Sequence, residues 1–146
     1  MVITELSEQQ SLEVLGRAQI ARLGCSHDDQ PYIIPLQIAY ADKYVYVLST
    51  YGQKIEWMRE NPKVCLEVEE GRGTSDWKSV IVYGTYQELT EPRYTEEREL
   101  ARLLLQKHNR WWLVAFAERQ AKTSEQLIDP IYFRVEISSV SGLKAE

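Results

Sequence analysis

YIIPLQIAYADKYVYVLSTYGQK, residues 32–54, changes character twice. Tyr32 to Tyr40 is rich in β-branched and aromatic residues, and Tyr44 to Ser49 is a second such run. Asp42-Lys43 between them is a polar turn. Pro35 has no N–H for a ladder, so the first strand is edge-like or irregular there. After Ser49 the period switches: Ile55, Met58 and Arg59 sit at helical spacing, and Asn61-Pro62 ends that helix. Ser49-Thr50-Tyr51-Gly52-Gln53-Lys54 therefore joins a strand to a helix, with two hydroxyls, a glycine and a lysine on the first helical turn. Backbone N–H groups and the positive end of a helix dipole favour an anion at such a junction. An ordinary capped helix with a solvated lysine is the other reading of the same spacing.

Working outward, Ser7-Glu-Gln-Gln10 is a capping-box pattern. It predicts a short helix over Glu8–Leu15, with Leu12, Val14 and Leu15 as its apolar stripe and Gly16 as its stop. Ile20 to Ser26 reads as a strand, and His27-Asp28-Asp29-Gln30 as a polar turn with a solvated histidine. Past the second helix, Val64 to Val68 is a strand and Gly71-Arg-Gly-Thr-Ser75 a loop. Ser79 to Leu89 is a long strand with Gly84 as a bulge. Pro92 to Lys107 is the longest helix, its apolar face drawn as Leu100, Leu103 and Leu104, and Ile131 to Ile137 is the last strand. This order is an antiparallel-dominated α+β plan. Six short strands with helices at the periphery form a small closed barrel.

The 146 residues make one domain, residues 1–146. Lys plus Arg is 17 against Asp plus Glu 22, a net charge of −5 that argues against a nucleic-acid binder. The start of the chain shows no basic segment with an apolar run, and no stretch has the length of a membrane span; a soluble, cytoplasmic protein is expected. Cys25 and Cys65 have no metal-ligand spacing with each other or with His27 and His108, so no metal site is expected. Both cysteines read as small buried hydrophobes in strands. His108, after the long helix, suits a capping or surface role. Trp57 and Trp77 read as core or interface residues. Adjacent Trp111 and Trp112 cannot both face one core, which leaves one for a pocket, a partner or solvent. No nucleophile elbow, phosphate-binding glycine loop or zinc-protease pair is present, and no catalytic residue is nominated.

Six pieces occur in a recognisable order: Ala21-Arg-Leu-Gly24, Gln30-Pro-Tyr-Ile-Ile-Pro-Leu36, Val45-Tyr-Val-Leu-Ser49, Gly52-Gln-Lys54, Arg59-Glu-Asn-Pro-Lys-Val-Cys65 and Trp77-Lys-Ser-Val-Ile-Val-Tyr-Gly84. The series resembles the pyridoxamine 5′-phosphate oxidase-like family of FMN-binding split-barrel proteins, in the small branch near the nitroimidazole-resistance reductases. The resemblance runs from Ile20 to Leu89, and Val135 to Leu143 is similar to the family's last strand. It implies a six-stranded split barrel and a homodimer with FMN at the interface. It places Ile34, Pro35, Leu36 and Gln37 beside the flavin ring, and Leu48, Ser49 and Thr50 near the ribityl phosphate. Gln53 and Lys54 match the family's Arg-Lys pair on that phosphate; Ser79 matches a Gln that reaches the flavin, with Trp77 just before it. Tyr51 or a backbone N–H in the Pro35–Gln37 stretch is the candidate for flavin N5.

The departures narrow the activity. No Arg-x-His substrate clamp follows Trp112, which argues against pyridoxal phosphate synthesis. Leu48 stands where nitroimidazole-reductase relatives carry His, and Gln53 removes one cation from the phosphate pair. No His follows His108, unlike the haem-degrading relatives, and the acidic chain suits the polyanionic deazaflavins poorly. The expectation is an FMN-dependent oxidoreductase that draws hydride from NADH or NADPH and reduces a small molecule, with no nucleic-acid or membrane partner. The alternatives are a non-catalytic flavin carrier or sensor and a cofactor-free dimeric interaction module.

Overall fold

The computed structural model describes residues 2–108 and 130–146. In chain order these form β1 (Ile3–Leu6), α1 (Glu8–Arg17), β2 (Ile20–His27), β3 (Gln30–Ala41), β4 (Tyr44–Ser49), α2 (Gln53–Glu60), β5 (Lys63–Glu70), β6 (Lys78–Glu88), α3 (Thr95–His108) and β7 (Ile131–Ala145). Six strands close into an antiparallel ring, β7-β4-β3-β2-β5-β6 and back to β7. This is the expected small barrel.

β1 is an addition to the expected plan. It pairs with the end of β7, from Leu6 opposite Gly142 to Ile3 opposite Ala145, outside the ring. β7 runs to Ala145, well past the expected end at Ile137, because three neighbours share it. Its start pairs with β4, its middle and end with β6, and its last residues with β1.

Alternation puts one face of each strand inside. Ala21, Leu23, Ile38, Val45, Val47, Leu66, Val80, Val82, Phe133 and Val135 fill the barrel. α1 adds Val14 and Leu15, and α2 adds Ile55 and Met58, all at most 2% exposed. The β2–β3 hairpin turns through Asp28 and Asp29, both at positive φ, as a two-residue hairpin requires. The β6–β7 register shifts at Gly84, the expected bulge. A Cβ there would lie 2.4 Å from the Glu136 carbonyl oxygen, so no larger residue fits without backbone movement.

α3 corrects the drawn helix face. It starts at Thr95, after a turn that contains Pro92, and buries Ala101 and Leu105. These join Ala39, Tyr46, Leu89 and Tyr132 in a second, smaller core outside the barrel. Leu100 and Leu103 are exposed and only Leu104 packs partly against that core. Leucine counting selected the richest stripe, whereas close approach to the sheet selected small Ala101. Trp111 and Trp112 lie outside the described residues, as does the His108 side chain. Among the described residues, no helix is long and apolar enough to cross a membrane.

Candidate functional site

The barrel is split where β3 parts from β4. Their last pair is Ile38 opposite Val47. From Gln37 back to Gln30, β3 pairs only with β2, so among the described residues its other edge carries no strand. Pro35 lies within that open edge, opposite Arg22, and the missing N–H costs no ladder bond. On the other side, β4 continues along β7 through Leu48 and Ser49 and then turns into α2.

Two banks of the split thus carry most of the residues singled out in the sequence. Ile34 and Leu36 pack against the barrel core, while Pro35 is exposed. Gln37 is half-buried; its amide nitrogen and oxygen are both buried and neither has a hydrogen-bond partner. Leu48 packs on the second core. Ser49 is buried, and its hydroxyl donates to the Thr50 carbonyl oxygen at 3.1 Å. Gln53 is exposed and Lys54 half-buried on the first turn of α2.

That first turn lacks a side-chain cap. Gly52 holds the cap position with extended backbone, φ 173° and ψ −168°, and its carbonyl accepts from the N–H groups of Ile55 and Glu56 at 3.1 and 3.2 Å. The leading N–H groups of a helix have no partner within it. Gly52 has no side chain to cap them. The positive dipole end of such a turn favours an anion.

Trp77 and Ser79 lie elsewhere. Trp77 immediately precedes β6 and Ser79 lies at its start, and β2 and β5 separate β6 from β3 around the ring. The Trp77 indole N–H donates to Glu69 at 3.3 Å and the Ser79 hydroxyl to Glu67 at 3.3 Å. Arg22 bridges to both glutamates, at 3.3 and 3.7 Å. One chain does not bring this pair together with the split.

Tyr51 is turned onto α2. Its hydroxyl donates to the Glu56 carboxylate and its ring lies 5.6 Å beneath the Arg59 guanidinium. Arg59 in turn donates twice to Glu88, at 2.8 and 3.0 Å, and holds that carboxyl below its usual range. The Tyr86 hydroxyl donates to the same carboxylate at 2.6 Å. Burial, then that hydrogen bond, pushes the Tyr86 phenol well up. None of this network is visible in residue spacing, because Arg59 and Glu88 lie 29 positions apart.

Two sequence readings need revision, those of His27 and Cys65. His27 is not a solvated turn residue: it contacts the Glu60 carboxylate, sits 3.3 Å from Asp28 and stacks on Trp57. Trp57 is partly buried against the barrel core, as expected. Cys25 is buried, and burial pushes its thiol pKa up, but Cys65 is only half-buried. Its sulfur packs over Gly24, where a Cβ would lie 2.8 Å away. Both cysteines line an apolar groove of about 630 Å³ with Ile33, Lys63 and Tyr83, across β2, β3, β5 and β6. Among the described residues, no group of three metal-ligating side chains is assembled.

Comparison with known proteins agrees with this architecture. A solved structure of a FAD-binding protein from Mesorhizobium loti superposes with TM-score 0.82 at 37% identity, covering 100% of this chain and 98% of that one. A solved structure from Bacteroides thetaiotaomicron superposes with TM-score 0.71 at 17% identity, over 99% of this chain and 89% of that one, a likeness of fold. An uncharacterized protein of Rhizobium meliloti is 37% identical over 146 residues, 99% of this chain and 97% of its own length. The family model for pyridoxamine 5′-phosphate oxidase matches residues 7–144. With a ring split at β3, a match over nearly the whole chain and relatives at this identity, the chain belongs to the pyridoxamine 5′-phosphate oxidase family of split-barrel proteins.

Proposed function

We propose that this chain binds FMN in the split and works as an FMN-dependent oxidoreductase on a small molecule, with NADH or NADPH as electron donor. One observation carries the reading: one bank of the split is a helix start without a side-chain cap and the other holds a buried polar side chain without a partner. On one bank is the uncapped start of α2 with Lys54. On the other is the buried Gln37 amide without a partner. An unsatisfied buried polar group costs about 1–3 kcal/mol. The pyrimidine edge of a flavin has adjacent donors and acceptors, which is what a primary amide can answer. A phosphate monoester answers the helix start.

In this reading Lys54 supplies charge to the phosphate, Gln53 and Thr50 supply neutral hydrogen bonds, and the residues from Ile34 to Leu36 form an apolar strip beside the ring. A bound flavin supplies the hydride and electron chemistry; the protein orients it and limits water at its edge. Trp77 and Ser79 join the site from a second copy, since one chain holds them apart from the split. The exposed Ile20, Ile33 and Tyr83 mark the face that such a copy would cover. The assembly is then a homodimer, and sedimentation should give a mass near twice 17.0 kDa. A monomer at micromolar concentration would contradict the shared site.

Two structural neighbours are described as FAD-binding, from Mesorhizobium loti and Mycobacterium smegmatis. FMN is favoured here because its terminal phosphate carries more charge and no adenylate beside Lys54. Absorption of the purified protein, followed by titration with FMN and FAD, tests the cofactor. Tighter FAD binding would move the reading to the dinucleotide. NADH or NADPH oxidation by the loaded protein under air tests the enzyme; a loaded protein that leaves both untouched is a carrier.

A further inference from the structure

We infer that Tyr51 is a positioning residue that fastens the phosphate-binding turn to the outside of α2; the inference rests on the reading of that turn as the flavin-phosphate site. Gly52 is extended, a Cβ there would touch nothing within 4 Å, and no side chain caps the helix. α2 spans eight residues, too short to persist by local bonds alone. Its body is anchored by Ile55 and Met58 in the barrel core. Its start depends on what holds the residues just before it.

Tyr51 is the residue adjoining Gly52, and it is 55% exposed, an unusual place for a large aromatic ring. Among the described residues, its hydroxyl and its ring both lead back to α2, the hydroxyl to Glu56 and the ring face to Arg59. Arg59 is fixed in turn by two hydrogen bonds to Glu88 on β6, and Glu88 by the Tyr86 hydroxyl. Tyr86 is 7% exposed, so the series runs from the surface turn into the barrel wall. With the ring held against the helix, Gly52 and the N–H groups that follow it keep one direction. Released, the turn would sample many, and an anion would have to order it on binding. Each contact is exposed and modest, so the expected loss of phosphate affinity is about three- to thirtyfold.

The test uses the full chain with Tyr51→Ala and Tyr51→Phe. Amide hydrogen exchange of the unliganded protein reads the turn directly. In Tyr51→Ala, exchange at Ile55 and Glu56 should rise, while exchange at Asn61, bonded to the Trp57 carbonyl at the far end of α2, should not. FMN affinity should fall by the stated factor while riboflavin affinity holds. Tyr51→Phe keeps the ring under Arg59 and loses the hydrogen bond to Glu56, so both changes should be smaller than in Tyr51→Ala. Unchanged exchange at the turn overturns the inference, as does a loosened turn with unchanged FMN affinity. An equal loss for FMN and riboflavin overturns it too, since the residue would then act on the whole fold. If the unmodified protein binds FMN no better than riboflavin, the phosphate reading itself fails and the inference falls with it.

Discussion

α1 and α2 are finished alike at one end and oppositely at the other. Each carries in its last turn an arginine that grips a strand glutamate with two hydrogen bonds: Arg17 to Glu70 at 3.1 and 2.8 Å, Arg59 to Glu88 at 2.8 and 3.0 Å. At their starts they diverge. Ser7 caps α1 fully, its hydroxyl accepting from the Gln10 N–H at 3.1 Å while the Gln10 side chain accepts from the Ser7 N–H at 2.9 Å. α2 begins at a glycine with no cap. A helix start that serves only the fold is satisfied by its own side chains. A start without a side-chain cap, beside a lysine, is suited to a ligand.

The largest expected effect removes the cation at the uncapped start. Lys54→Ala should weaken FMN binding by roughly ten- to a hundredfold, since a charge-assisted hydrogen bond contributes about 1.5–3 kcal/mol. Riboflavin, which lacks the phosphate, should bind the variant as it binds the parent. Parallel fluorescence titrations check this, and equal losses for both ligands would show that Lys54 acts through structure.

Next, the difference between the helices can be erased. Gly52→Asp places a carboxylate where the phosphate would sit, at a position where the backbone and the space admit a side chain. FMN affinity should drop about tenfold or more. The unliganded protein should gain a few tenths of a kcal/mol from the new cap. Scanning calorimetry of the apo-protein and an FMN titration report the two opposed changes; a variant that gains stability and keeps its FMN affinity removes the phosphate from this turn.

The converse change belongs to α1. Ser7→Ala should cost about 1 kcal/mol of stability, or roughly 2–4 °C in melting temperature, with no change in FMN affinity. A fall in affinity would tie α1 to the site.

The shared feature gives the smallest effect. Hydrogen bonds from Arg17 and Arg59 hold the Glu70 and Glu88 carboxyls below their ordinary range. A depressed folded-state pKa means stability that is present above the unfolded value and lost as pH falls through the folded one. Thermal stability should thus be level above about pH 5 and decline below about pH 4, near and under the ordinary glutamate value. Each pair is partly exposed, so each contributes within about 1 kcal/mol. Glu70→Gln and Glu88→Gln should each flatten the acid limb, and a limb of unchanged steepness in both would remove the pairs as its cause.

What the sequence showed and hid follows the same physics. Local rules were legible: the capping box at Ser7, the Asp28-Asp29 hairpin, the bulge at Gly84 and Pro35 on an open edge. Elements set by distant partners were not. β1 has four residues and exists because β7 offers it an edge. The second half of β7, with its run of small polar residues, is a strand because β6 and β1 flank it. At the site, Lys54 on a first helical turn was readable. The isolation of the Gln37 amide and the Tyr51–Arg59–Glu88 series were not, because burial and long-range hydrogen bonds leave no mark on spacing.

The most direct measurement is an equilibrium titration of the unmodified protein with FMN and riboflavin side by side. If the uncapped start of α2 holds the phosphate, FMN should bind at least about tenfold more tightly than riboflavin, with flavin bound in every chain. Equal affinities, or no binding of either flavin, would contradict it.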